Sequence, residues 1–151
     1  IAEALAGEAG AAAGATAASS RGGVKVEVLF VRHGHACHNL MNGKYQGASR
    51  FAKIVHCRYP DPPLTDCGLR SSVENGRELR AKLDMYSWRP HLLGASSMVR
   101  AMETARAMFP DDGPVHSLPF ISELGGGFVS PCNEPGSVAR QKQVLGDPAG
   151  F

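Results

Sequence analysis

Short apolar segments alternate along this chain with longer amphipathic ones, and this alternation most narrows the folds available to it. The apolar segments 24–31, 90–95 and 115–121 are predicted strands. Between them, segments 65–83 and 98–109 carry apolar residues at helical spacing. Strands separated by helices join through right-handed crossovers into a mainly parallel sheet. The sequence therefore predicts an α/β fold.

The boundaries of these elements carry local signals. In the first strand, apolar residues alternate with Lys25 and Glu27 before the continuous apolar run 28–31, which predicts an exposed start and a buried end. Thr65 is predicted to cap the first of the two helices. Ser96 or Ser97 is predicted to cap the second.

Composition excludes several classes of protein. At 151 residues with 43% hydrophobic side chains, the chain suffices for one domain with a core. The formal charge of +2 is too small to indicate nucleic-acid binding. The longest strongly apolar run, 28–31, is too short to cross a membrane. The four cysteines lack the spacing of a disulfide scaffold, so we expect reduced thiols and, by default, a cytoplasmic location.

The first residues differ in composition from the rest of the chain. Segment 1–23 is rich in Ala and Gly and holds almost nothing large to bury. We expect a frayed helix or a disordered extension there, and a domain over residues 24–151.

Polar residues follow each predicted strand, where α/β sheets bind their ligands. Arg32-His33-Gly34 follows the first strand, Arg100 comes shortly after the second, and Glu123 follows the third. Arginine suits paired hydrogen bonds to phosphate, and neutral imidazole is a nucleophile near pH 7. A glycine lets backbone amides approach an anion. These residues predict phosphoryl transfer through a histidine.

Three ordered motifs resemble those of the histidine phosphatase superfamily, in its phosphoglycerate-mutase-like branch. Arg32-His33-Gly34 with Asn39 resembles RHGxxxxN, segment 63–68 resembles PLTxxG, and segment 96–105 resembles SxxxRAxxTA. The resemblance covers residues 24–125. It implies a three-layer α/β/α sandwich with a mainly parallel central sheet, of which this chain would be the N-terminal part.

The resemblance also implies roles for individual residues. His33 would become phosphohistidine, while Arg32 and Arg100 would bind the phosphoryl oxygens. Asn39 and Gly34 would contribute to the phosphate pocket. Glu123, a looser match, would protonate the leaving oxygen and later activate water.

One family feature has no counterpart in this sequence. The superfamily carries a second catalytic histidine, and no histidine follows Glu123 here. We expect that the chain is a fragment of a longer protein, with an inactive relative as the other explanation.

For the full-length protein, the predicted function is hydrolysis of a phosphomonoester through phosphohistidine at His33. A noncatalytic phosphate-binding or interaction module and a phosphoglycerate-type mutase are the alternatives. Segment 39–63 differs from the short loop of the mutases and favours the phosphatase. The predicted partner is a small phosphorylated substrate, with no nucleic acid, membrane or cofactor. The sequence predicts no oligomeric state.

For two of the candidate site residues a purely structural role is an alternative. Asn39 also fits a simple turn residue, and Glu123 also fits an ordinary loop carboxylate. The cluster His33, His35, Cys37 and His38 contains possible zinc ligands, but it lacks their usual paired spacing. We therefore predict no metal site.

Overall fold

The computed structural model of the protein describes residues 23–44, 60–121 and 131–146. The chain divides into two units, Ile1–Phe30 and Val31–Phe151. Several predictions lie outside the described residues: the extension up to residue 22, most of the segment between the first two motifs, and Glu123.

The described part of the first unit, residues 23–30, forms neither helix nor strand. Its apolar side chains are exposed, with Val24 at 90% and Phe30 at 82% of their full accessibility. The strand predicted over residues 24–31 is therefore wrong. An alternating pattern suits a strand only where another strand pairs with its backbone and a sheet face buries its side chains.

Helices and strands alternate in the described part of the second unit. In chain order these elements are α1 (Cys37–Lys44), α2 (Asp66–Met85), β1 (Leu93–Ala95), α3 (Val99–Met108), β2 (Val115–Ser117), a 3₁₀ turn (Pro131–Asn133) and α4 (Val138–Leu145). The predicted α/β class is confirmed at this level.

Strands β1 and β2 form a small parallel sheet. Leu93 pairs with Val115 and Ala95 with Ser117, and α3 connects the two strands. Each strand has three residues, so both are shorter than their predicted segments. The chain leaves the sheet at Ala95, and Arg100 follows in the first turn of α3, as the pattern predicts.

The hydrophobic core lies between this sheet and the two longer helices. Its buried members come from β1, from α3 and the residue after it, and from β2; they are Leu93, Ala95, Met102, Met108, Phe109 and Val115. Leu79 and Leu83 of α2 pack against them. Gly76 brings α2 very close to α3, since a Cβ atom there would lie 2.5 Å from Cα of Met108. Burial of each large apolar side chain contributes about 1.5–3 kcal/mol.

The two long helices begin in different ways. Thr65 caps α2 as predicted, and its Oγ1 accepts a 3.0 Å hydrogen bond from the amide of Gly68. The predicted serine cap of α3 is wrong, because the N-cap residue is Met98 and makes no side-chain cap bond. Instead, Oδ1 of Asp61 accepts a 2.7 Å hydrogen bond from the amide of Val99. A carboxylate from a distant segment thus replaces the local serine.

The cysteines differ in oxidation state. Cys37 and Cys67 are free, but Cys132 is disulfide-bonded. The expectation that all four thiols are reduced is therefore wrong. Among the described residues, no helix is both long and apolar enough to cross a membrane.

Candidate functional site

The segment that follows Arg32 is fastened to the start of α2. Ala36 and Leu64 form an antiparallel bridge, and the amide of Thr65 donates a 2.9 Å hydrogen bond to the carbonyl oxygen of His35. His35 Nδ1 also lies 3.1 Å from Oγ1 of Thr65. The first two sequence motifs therefore pair directly through their backbones.

Gly34 connects the same segment to α3. Its amide donates a 3.0 Å hydrogen bond to Oγ1 of Thr104, and this hydroxyl donates a 2.7 Å bond to the carbonyl oxygen of Arg100. A Cβ atom at Gly34 would lie 2.5 Å from Oγ of Ser72 and 3.0 Å from the carbonyl oxygen of Gly68. Glycine is required here because the backbone passes between two helices.

Glu103 links the second and third motifs. Its Oε2 accepts a 2.7 Å hydrogen bond from the amide of Leu64. Burial is the main cause that raises the pKa of this carboxyl above its usual value of 4.5, and nearby Asp61 raises it further. The Leu64 amide and Arg106 lower the pKa, but they do not cancel the effect of burial. Glu103 therefore binds its proton more tightly in the folded chain.

The hydrogen bond at the His33 ring determines which nitrogen carries a proton. Nδ1 of this half-buried histidine lies 2.7 Å from the carbonyl oxygen of Gly34. A carbonyl oxygen only accepts hydrogen bonds, so Nδ1 is the protonated nitrogen. In the neutral form of this tautomer the lone pair is on Nε2, which is therefore the nucleophilic nitrogen of the ring.

Asn39 is held by its own loop. Its Oδ1 accepts a 2.9 Å hydrogen bond from the amide of Ala36, and its Nδ2 donates to Nε2 of His38 at 3.1 Å. The His38 ring lies 5.5 Å from the His33 ring, measured between centroids. Asn39 thus stabilises the turn 36–39, which contains His38. This contact corresponds to the alternative in which Asn39 is a turn residue.

The two predicted phosphate-binding arginines differ in their access to solvent. Arg32 is exposed, whereas Arg100 is only 1% exposed. The guanidinium of Arg100 donates to the carbonyl oxygen of Cys132 at 2.8 Å and to Oδ1 of Asn133 at 3.1 Å. The backbone of Arg100 is therefore close to Gly34, but its charged group is held by the turn Pro131–Asn133.

Glu123 lies outside the described residues. Within the described part of the chain, no three His, Cys, Asp or Glu side chains are arranged to hold a metal ion.

Sequence reasoning missed three residues that organise this region: Asp61, Cys132 and Asn133. Asp61 is fully buried and bonds to residues 38 and 75 positions further along the chain. Its one local signal is the flanking pair Pro60 and Pro62, which marks a loop but not its partners.

Comparisons with known families, curated proteins and solved structures found no match to this chain. The relationship suggested by the three motifs therefore depends on the residues themselves and on how they meet in space.

Proposed function

We propose that this protein is a phosphomonoester hydrolase that acts through a phosphohistidine on His33. The observation that carries the proposal is the meeting of three motifs that are far apart in sequence. Gly34 bonds to Thr104, and Ala36 bridges to Leu64. These contacts between the motifs support our proposal of a histidine phosphatase, which we extend to that superfamily's three-layer α/β/α sandwich.

The tautomer of His33, with its proton on Nδ1, supports the role of this residue as the nucleophile. The bond from Nδ1 to the Gly34 carbonyl fixes the ring orientation and leaves the lone pair on Nε2. Nε2 attacks phosphorus, the bond to the ester oxygen breaks, and the departing oxygen takes a proton from an acid. The resemblance assigns this acid to Glu123. Water then attacks the phosphohistidine and gives a proton to the carboxylate of Glu123, which releases inorganic phosphate and restores both His33 and the acid.

The proposed charge stabilisation comes from arginine. Three phosphoryl oxygens carry the negative charge in the transition state, and guanidinium groups neutralise it through paired N–H donors. Arg32 is the exposed candidate for meeting the incoming anion. Arg100 is the buried candidate, and its main chain is tied to Gly34 through Thr104.

The test is to incubate the protein with a radiolabelled aryl phosphate and to trap the phosphoenzyme. We expect label that survives alkali and is lost in acid, as for phosphohistidine. His33→Ala should abolish labelling, and His91→Ala should retain it, because this exposed histidine outside the three motifs is the matched control. Label on serine or cysteine, or undiminished label in His33→Ala, would refute the mechanism.

Other outcomes separate the alternatives. Saturable binding of inorganic phosphate without any phosphohistidine would identify a noncatalytic phosphate-binding module. Label that passes to a hydroxylated acceptor rather than to water would identify a mutase.

A further inference from the structure

The guanidinium of Arg100 is buried against the turn Pro131–Asn133. Its Nη1 donates to the carbonyl oxygen of Cys132 at 2.8 Å, and its Nη2 donates to Oδ1 of Asn133 at 3.1 Å. Arg100 is 1% exposed and Cys132 is 5% exposed. A dissolved phosphate therefore cannot reach this guanidinium unless the segment that covers it moves away.

The covering segment, residues 131–136, is held mainly by a few separate attachments, and we call it the strap. Oδ2 of Asp61 accepts a 2.7 Å hydrogen bond from the amide of Gly136. In the helix α4 that follows, Nε2 of Gln141 donates to the carbonyl oxygen of Ser97 at 2.7 Å. The disulfide at Cys132 adds a covalent attachment. Helix α4 contains no buried residue, and segments with little apolar burial open more readily than the core.

The two acceptors that the strap offers to Arg100 are weaker than those of a phosphoryl group. A backbone carbonyl and a side-chain amide are both neutral, whereas phosphoryl oxygens carry negative charge. Hydrogen bonds between a guanidinium and a charged acceptor are about twice as strong as neutral ones. Phosphate can therefore replace the carbonyl of Cys132 and the amide of Asn133 once the strap opens.

We propose that the strap is an autoinhibitory element that covers Arg100 in the resting protein, and that the disulfide at Cys132 helps to keep it closed. A phosphoryl group meets Arg100 only when the strap opens. The inference rests on the proposed function, because it takes Arg100 as a phosphate ligand. The apparent affinity for phosphate is then reduced in proportion to the fraction of molecules in which the strap is open. Changes that loosen the strap should therefore tighten phosphate binding, which is the opposite of what a purely structural contact predicts.

The first experiment needs no substitution. Amide hydrogen exchange of the full chain is followed by NMR with and without inorganic phosphate. Because binding and opening are linked, phosphate should speed the exchange of the Gly136 amide, which is released from Asp61 when the strap opens. The Gly34 amide, bonded to Thr104, is the reference and should not exchange faster. Unchanged or slower exchange at Gly136 with phosphate bound would overturn the proposal.

The second experiment measures phosphate binding by titration calorimetry, with the melting temperature of each variant. Gln141→Ala removes the bond to Ser97 without touching Arg100, and should tighten binding about threefold to tenfold. Gln143→Ala, at an exposed position of the same helix, is the matched control and should leave binding unchanged. In an Arg100→Ala background, Gln141→Ala should bring no gain. Weaker or unchanged binding in a folded Gln141→Ala protein would contradict the strap.

The third experiment tests the covalent attachment. A dithiol reductant attacks the disulfide through a mixed disulfide, so that Cys132 and its partner become thiols and the reductant becomes a disulfide. Reduction should tighten phosphate binding by the natural protein, and Cys132→Ser should bind as tightly without reductant and show no response to it. Cys67→Ser, which removes an exposed free thiol, should respond like the natural protein. An affinity that reduction leaves unchanged or lowers would overturn the role of the disulfide.

Failure of the strap and failure of the proposed function give different results. Labelled His33 with unchanged exchange at Gly136 would support the phosphohistidine mechanism and overturn the strap. Faster exchange at Gly136 without any label on His33 would support the strap and refute the mechanism, which leaves a noncatalytic phosphate-binding module.

Discussion

The amide of Gly34 donates a 3.0 Å hydrogen bond to the side-chain oxygen of Thr104, 70 positions further along the chain. Thr104 is 4% exposed, and its hydroxyl donates a hydrogen bond to the carbonyl oxygen of Arg100. One hydroxyl therefore connects the backbone beside His33 to the helix that carries Arg100. Because few solvent molecules reach this bond, its loss leaves a polar group unsatisfied.

Replacement of this hydroxyl gives the first prediction. Thr104→Val keeps the shape of the side chain but removes the acceptor for Gly34, and should lower the free energy of unfolding by about 1–3 kcal/mol. It should also reduce the rate of His33 labelling, because the adjoining loop loses its attachment. Thr104→Ser, which keeps the hydroxyl, should retain most of both. Urea unfolding measures the stability and labelling kinetics measure the rate. Equal stability and equal labelling rates in Thr104→Val and Thr104→Ser would contradict the role of the hydroxyl.

The close approach of α2 and α3 gives a second prediction. Alanine is worth about 1 kcal/mol more than glycine inside a helix, so Gly76→Ala would stabilise an isolated α2. In the protein, the new Cβ would lie 2.5 Å from Cα and 2.7 Å from the carbonyl oxygen of Met108. We expect a net loss of about 1–3 kcal/mol in unfolding free energy. Glu78→Ala, at an exposed position of the same helix, is the control for urea unfolding. A stabilised Gly76→Ala protein would show that the helices are farther apart.

The raised pKa of Glu103 gives a pH-dependent prediction. The unfolded chain releases this proton near the usual pKa of 4.5, whereas the folded chain holds it to a higher pH. Stability contributed by the protonated carboxyl is therefore complete below 4.5 and is lost as the pH rises through the folded pKa. Glu103→Gln keeps an acceptor for the Leu64 amide but does not titrate.

The measurement is urea unfolding of both proteins over a pH series that begins below 4.5. The Gln variant should gain stability relative to the natural protein as the pH rises, until Glu103 is fully ionised. Glu78→Gln provides the comparison for removal of an exposed carboxyl from the surface. If Glu103→Gln instead loses stability relative to the natural protein as the pH rises, the pKa shift of Glu103 has the opposite sign.

The disulfide at Cys132 gives a fourth prediction. Cys132→Ser should lower the unfolding free energy by about 2–4 kcal/mol under oxidising conditions, since a disulfide restricts the unfolded chain. Excess dithiol reductant should bring the natural protein close to the variant. Cys67→Ser removes an exposed free thiol and should change little. If the reductant leaves the natural protein unaffected, this bond does not stabilise the fold.

The fifth prediction concerns metal ions. In the proposed mechanism arginines meet the phosphoryl charge, which in many other phosphoryl-transfer sites is met by Mg²⁺. Hydrolysis of an aryl phosphate by the protein should therefore survive excess chelator and dialysis. Loss of hydrolysis that zinc restores would instead point to a metal site among His33, His35, Cys37 and His38.

Local interactions explain where the sequence predictions succeeded. The cap of α2 depends on Thr65 and an amide three residues later, so a short stretch of sequence contains the whole interaction. The cap of α3 depends on Asp61, which is 38 residues from Val99. No local pattern around Ser96 reveals that a distant carboxylate replaces it.

The sequence does not predict α4 (Val138–Leu145), which lies beyond the last predicted element. It does predict the order α2, β1, α3 and β2, the start of α2, and the motifs around His33 and Arg100. It could do so because helix periodicity and capping act over a few residues. Three features follow from the folded structure alone: segment 24–31 forms no strand, Gly34 bonds to Thr104, and Asn133 accepts a hydrogen bond from the guanidinium of Arg100. Strand pairing and buried hydrogen bonds depend on which distant groups meet, and they form only when packing brings those groups within about 3 Å of each other.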